Sequence, residues 1–124
     1  MRDFKGLLIW QRGFQIAKNC FEIIRKFPPE EKYGLVSQIS RAGVSIPSNI
    51  AEGSGRVSLK EFNNFIHISM GSSFELETHL LIAQHLNYGD KNLITSTLDL
   101  LIQEQKMLQS FSNNLKAQIL KSRG

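Results

Sequence analysis

The sequence has few of the residues that staple or interrupt a chain. It holds one cysteine, Cys20, in 124 residues. No disulfide can form within the chain, and this fits a reducing compartment. Prolines number three, and two of them are adjacent, Pro28 and Pro29. Long stretches are therefore free to be helical. Strand signals are absent, and so are low-complexity segments, internal repeats and long linkers. The N-terminal apolar run, Leu7 to Trp10, is far too short for a signal sequence or a membrane span. The expectation is a soluble, cytoplasmic protein with no membrane contact.

Catalytic and cofactor motifs are missing too. No P-loop, G-x-G-x-x-G, H-E-x-x-H or C-x-x-C occurs. The Glu-x-x-His pairs with which helical bundles hold two metals are absent. His67 and His85 fall on one face of a predicted helix but about 27 Å apart, too far to share a metal. Glu75 and His79, four residues apart, could hold a metal weakly, but a solvated or core-edge pair is the better reading. Glu75 and Glu77 lie about 200° apart on a helix and cannot act as paired carboxylates. Cys20 reads as a small buried hydrophobe. Phe62 and Phe65 could stack on bases, but their place on an apolar face makes them core. Trp10 reads as core or interface. No cofactor, no metal and no enzymatic activity are expected.

What the chain does have is helical periodicity. Leu7, Trp10, Phe14, Ala17, Phe21 and Ile24 are spaced three and four apart, and we take them as the inward seam of helix 1, with Gly13 off it. Pro28-Pro29 ends that helix, and Pro29 with Glu30 and Glu31 suits the first turn of the next. Leu35, Ile39, Ala42, Ile46 and Ile50 form its apolar face. Ser58-Leu59-Lys60-Glu61 is a capping box. It opens a third helix with Phe62, Phe65, Ile66, Ser69, Ser73, Leu76, Leu80 and Ala83 inward. Asn87-Tyr88-Gly89 closes it, and Asp90 caps the fourth. There Ile94, Leu101, Leu108 and Leu115 recur every seven residues, and Gln105 and Ser112 point to a partly wet second seam. The reading is one all-α domain over 1–124, an antiparallel up-down-up-down four-helix bundle with helices at roughly 6–27, 29–55, 58–87 and 90–120.

Charge is unevenly placed. Residues 1–27 carry six basic and two acidic side chains, residues 28–104 five and nine, and residues 105–124 four and none. In the expected topology both chain ends share one end of the bundle, so the charge of helices 1 and 4 pools. That points weakly to an anionic partner, against an ordinary mixed-charge surface.

The stretch RAGVSIPSNIAEGSGR, Arg41 to Arg56, concentrates poor helix formers inside a predicted helix. On a helical wheel Gln38, Arg41, Ser45, Ser48, Asn49, Glu52 and Arg56 make one stripe beside the apolar one. Pro47 presses on the carbonyl of residue 43, which is glycine. A helix kinked near Pro47 is expected, with a full break at Ser45–Pro47 as the alternative. Short polar side chains allow close approach and directed hydrogen bonds. The stripe therefore reads as a helix–helix or subunit interface before a solvated face or a ligand site. Arg41 and Glu52, about 16 Å apart along the axis, cannot pair, and each should meet a neighbouring element.

Arg41-Ala42-Gly43-Val44-Ser45-Ile46-Pro47-Ser48-Asn49-Ile50-Ala51-Glu52-Gly53 with Arg56 resembles the signature of the four-helix-bundle proteins encoded in intervening sequences of bacterial 23S ribosomal RNA genes. Leu7 to Gln11, Phe27-Pro28 with Glu31, Tyr33-Gly34-Leu35, Gln38, Glu61-Phe62, Gly71-Ser72 and Glu75-Leu76-Glu77 fit the same pattern. The resemblance spans residues 4–90, with Gly13 and Gly43 where alanine is more usual. It implies a ring-shaped homopentamer and a likeness to the accessory protein of diversity-generating retroelements, which binds a reverse transcriptase and nucleic acid. It speaks to fold and assembly more than to activity.

Two functions follow as expectations. The first is a non-enzymatic oligomeric scaffold that binds nucleic acid, structured RNA or DNA, through Arg12, Lys18, Arg25, Lys26, Lys116, Lys121 and Arg123. The second is a module that docks a protein such as a reverse transcriptase. Arg41, Ser45, Pro47, Asn49, Glu52, Gly53 and Arg56 are assigned to structure and assembly.

Overall fold

Each helix begins where the sequence supplies a cap or a stop. In the computed structural model, which describes residues 2–123, a 3-10 turn at Phe4–Gly6 leads into α1 (Leu8–Ile24), and a second at Pro29–Glu31 into α2 (Leu35–Ser54). Then come α3 (Leu59–His85) and α4 (Lys91–Arg123), with no strand among the described residues. The Ser58 hydroxyl accepts the Glu61 amide at 3.1 Å, and Asp90 Oδ1 accepts the Leu93 amide at 3.1 Å. That amide bond, aided by Lys26, holds the Asp90 carboxyl below its ordinary range. Asn87 and Gly89 take positive φ in the short turn between α3 and α4.

Helix 2 starts later than its sequence predicts. Pro29 does open a turn, but it is 3-10 and stops at Glu31, and Gly34 is non-helical. Its far end runs unbroken through Pro47. Helix 4 reaches Arg123, beyond the expected end at 120, and at 33 residues is about 50 Å long.

One core joins all four helices. Ile39, Ala42, Ile46 and Ile50 of α2, Phe62, Ile66, Leu76, Leu80 and Ala83 of α3, and Ile94, Leu101, Leu108 and Leu115 of α4 are buried as expected. Helix 1 is the correction. Its buried residues are Ile9, Gly13, Ile16, Ala17, Cys20 and Ile23, whereas Phe14 and Phe21 stay 47% and 49% exposed. The helix carries two apolar stripes about 100° apart. The core takes the one with small residues, because these let α1 approach α2. A Cβ at Gly13 would stand 3.1 Å from Ile46, and one at Gly43 would stand 3.0 Å from Cys20 Sγ. Ser112, read as wet, is buried and donates to Asn63 Oδ1 at 2.7 Å.

Helix 1 packs on α2 and α4, and α3 packs on the same two, so α1 and α3 lie diagonally across the bundle. No helix among the described residues is long and apolar enough to cross a membrane.

Candidate functional site

Of the polar stripe of α2, Ser45 meets α3 and Asn49 is half-buried beside it, while Gln38, Arg41, Ser48, Glu52 and Arg56 are exposed. Ser45 and Ser72 share a hydroxyl–hydroxyl bond of 2.7 Å, and the Asn49 amide donates to the Ser45 carbonyl (2.8 Å) and hydroxyl (2.9 Å). Ser69 of α3 donates to the Ile46 carbonyl at 2.9 Å, one residue before Pro47. Gly53 lets α3 begin close by: a Cβ there would lie 2.6 Å from the Phe65 Cβ. Glu52 does not reach across to another element. It pairs with Arg56 of its own chain segment at 3.1 Å, and Arg56 also lies over the Phe65 ring. The two are i,i+4 neighbours at the end of the helix. Arg41 borders a small polar cleft with Gln38, Ser45, Ser72 and Glu75.

Beside that stripe runs an apolar groove of about 430 Å³, lined by Trp10, Phe14 and Phe21 of α1 and Val44, Pro47 and Ala51 of α2. This is the stripe that sequence reading turned inward. Lys18 stands on its edge.

The basic residues do not form one surface. Arg12 is half-buried and donates to Gln103 Oε1 at 2.8 Å. Arg25 lies 3.7 Å from Glu22, and Lys26 lies 3.8 Å from Asp90 where α4 begins. These two sit at the end of the bundle that α4 leaves. Lys116, Lys121 and Arg123 are exposed on the last turns of α4, at the other end. There the Phe62 and Phe111 rings meet at 5.3 Å, and Arg2 lies over Phe62. Arg2 also donates to the carbonyls of Ser54 (3.0 Å) and Arg56 (2.8 Å). Helix 4 continues past this level with its basic tail, at the end of the bundle that also holds Arg2, Lys5, Arg56 and Lys60 together with Asp3, Glu52 and Glu61. Sequence reading passed over Arg2, Lys5 and Lys60, because nothing local shows that the N-terminal turn folds onto the α2–α3 junction.

Asn63, Ser69, Ser73, Thr97, Glu104 and Ser112 are polar groups buried in the bundle. Glu104 is wholly buried, and neither carboxylate oxygen has a hydrogen-bond partner. Burial pushes its pKa up to about 8, while the nearby Arg12 charge pulls the other way. The Cys20 thiol, also buried, is pushed up to about 12 and is a packing group. Ser112 Oγ lies 3.3 Å from His67 Nε2, and His79 Nε2 lies 3.5 Å from Glu75. Among the described residues no three His, Cys, Asp or Glu side chains gather as a metal site.

Among curated proteins none matches this sequence. A crystal structure of a protein of unknown function from the S23 ribosomal protein family of Bacteroides thetaiotaomicron VPI-5482 is similar in fold. Its TM-score is 0.75 at 20% identity, covering 85% of this chain and 98% of that one. The family model described as 23S rRNA-intervening sequence protein matches residues 5–110, which takes in the whole Arg41–Arg56 stretch. The chain belongs to the 23S rRNA-intervening sequence protein family.

Proposed function

We propose that the protein is a non-enzymatic, homo-oligomeric scaffold that binds nucleic acid, structured RNA foremost, at the basic end of an antiparallel up-down-up-down bundle. The observation that carries this reading is the tail of α4. Lys116, Lys121 and Arg123 are exposed on the last turns of α4, with no acid after Glu104. Lysine and arginine so placed neutralise phosphates and release counterions, giving affinity with little base specificity. In a ring-shaped homopentamer, the assembly that the sequence resemblance implies, each such end is repeated and weak contacts add. The uncovered aromatic groove on α1 and α2 supports self-association. The pairing of Arg12 with Gln103, Asn19 with Thr97 and Lys26 with Asp90 supports the antiparallel order. The family's name ties it to ribosomal RNA genes.

A second reading is favoured by the same groove: a docking site for another protein, such as a reverse transcriptase, with no intrinsic nucleic-acid role. Purification from the native host with and without nuclease separates the two. The first predicts co-purifying nucleic acid that nuclease removes. A stoichiometric protein partner that survives nuclease, with no nucleic acid present, supports the second and contradicts the first.

A further inference from the structure

Glu104 is the anomaly of this core: a wholly buried carboxyl group whose two oxygens have no hydrogen-bond partner. Buried polar groups are nearly always paired, so an orphan calls for a proton, a partner or a second arrangement.

The surroundings leave few candidates for a partner. One turn away on its own helix stand Leu100, Leu101, Met107 and Leu108, all apolar. At this level α2 presents Ile46 and Pro47, neither of them titratable. Proline has no N–H, and the Ile46 carbonyl already accepts from Ser69. On α3, Ser73 is engaged with the Met70 carbonyl at 2.6 Å, and Glu77 accepts from Gln105 at 2.8 Å. His67 meets Ser112, two turns further along α4. Helix 1 brings Arg12, while its Lys18 stands at the groove instead.

Arg12 waits on the rim. It is half-buried and donates to Gln103 Oε1 at 2.8 Å, and Gln103 is the residue beside Glu104. Gly13, beside Arg12, faces the carboxyl so closely that a Cβ there would stand 3.1 Å from Oε2. Arg12-Gly13 thus lies against Gln103-Glu104, arginine over glutamine at the surface and glycine over glutamate within. The arginine stem is long and flexible, and its two acceptors hang from adjacent residues of α4. The guanidinium stays charged at every pH, so the state of Glu104 decides which acceptor it prefers. A protonated carboxyl attracts it little, and Gln103 wins. A buried carboxylate with no other donor attracts it far more strongly, and leaving that charge unpaired is costly.

We infer that Arg12 and Glu104 form a proton-operated latch across the α1–α4 seam: with the carboxyl protonated Arg12 rests on Gln103, and when the proton leaves Arg12 turns inward and pairs with Glu104. The arrangement in this structure is the protonated one.

Infrared titration and crystallography test it. In the difference between native and Glu104→Gln spectra, the carbonyl stretch of a carboxylic acid should be present at about pH 6 and lost by about pH 10. Arg12→Met should move the midpoint of that loss up by about one unit or more. Gln103→Leu, which removes the outer acceptor, should move it down, and should do nothing in the Arg12→Met background. Crystals at the lower pH should show the guanidinium on Gln103, and at the higher pH on Glu104. Arg12 still on Gln103 once the acid band is gone would overturn the latch. So would an acid band that is missing at the lower pH or persists at the higher, or a midpoint that neither variant moves.

Discussion

Gly13 of α1 lies against Glu104 of α4, so close that a methyl group at position 13 would stand 3.1 Å from Oε2. The same methyl would stand 3.1 Å from Ile46 Cγ2 on α2. Three helices converge there on a carboxyl group with no hydrogen-bond partner. In Gly13→Ala the usual gain in helix propensity, roughly 1 kcal/mol, competes with crowding of a packed core, roughly 1–3 kcal/mol. The expected result is a modest loss of stability in urea denaturation.

Glu104 makes stability fall with rising pH. Its folded pKa, about 8, lies above the ordinary 4.5. Below about pH 4.5 both states are protonated and stability is full. Above it the unfolded state ionises while the folded state keeps its proton, and the loss completes as pH passes about 8. Between pH 5 and 9 this amounts to about 4 kcal/mol. Urea titrations across that range should show the decline in the native protein and a much flatter profile in Glu104→Gln.

Gly53→Ala should be the most damaging single methyl. The added Cβ would lie 2.6 Å from the Phe65 Cβ, which is close to the backbone and cannot swing aside. Separating α2 from the start of α3 should lower stability by roughly 1–3 kcal/mol. Thermal unfolding followed by circular dichroism reads this directly.

Arg2 ties the N-terminus to the end of α2 through two carbonyls and the Phe62 face. Arg2→Ala leaves the carbonyls of Ser54 and Arg56 to water. A destabilisation of about 1–2 kcal/mol is expected, with faster amide exchange confined to residues 50–58.

Much of the fold was legible because caps and periodicity are local. Ser58, Asp90 and the Leu101–Leu108–Leu115 repeat announced their helices, and the family signature announced the architecture. The face of α1 was not legible. Two apolar stripes compete there, and the choice falls to Gly13 and Cys20, whose value lies in the closeness of Ile46 and Gly43 on another helix. Glu104 shows the same limit: a glutamate in a long helix reads as solvated until the neighbours that bury it are known. In the polar stripe of α2, Ser45 meets Ser72 of α3, while Gln38, Arg41, Ser48, Glu52 and Arg56 stay exposed. Glu52 was expected to meet a neighbouring element, but its partner Arg56 is local. The candidate basic set was dispersed, because charge along a chain does not tell which residues share an end.

The most direct measurement is fluorescence anisotropy of a labelled, structured RNA at several salt concentrations. It compares the native protein with two triple variants, Lys116→Gln/Lys121→Gln/Arg123→Gln and Lys18→Gln/Arg25→Gln/Lys26→Gln. A steep negative log–log slope is expected for the native protein. The α4 triple should lose affinity and flatten that slope, and the α1 triple should change both much less. An α4 triple that binds RNA as the native protein does, with the same slope, would contradict the assignment of nucleic-acid binding to the basic end.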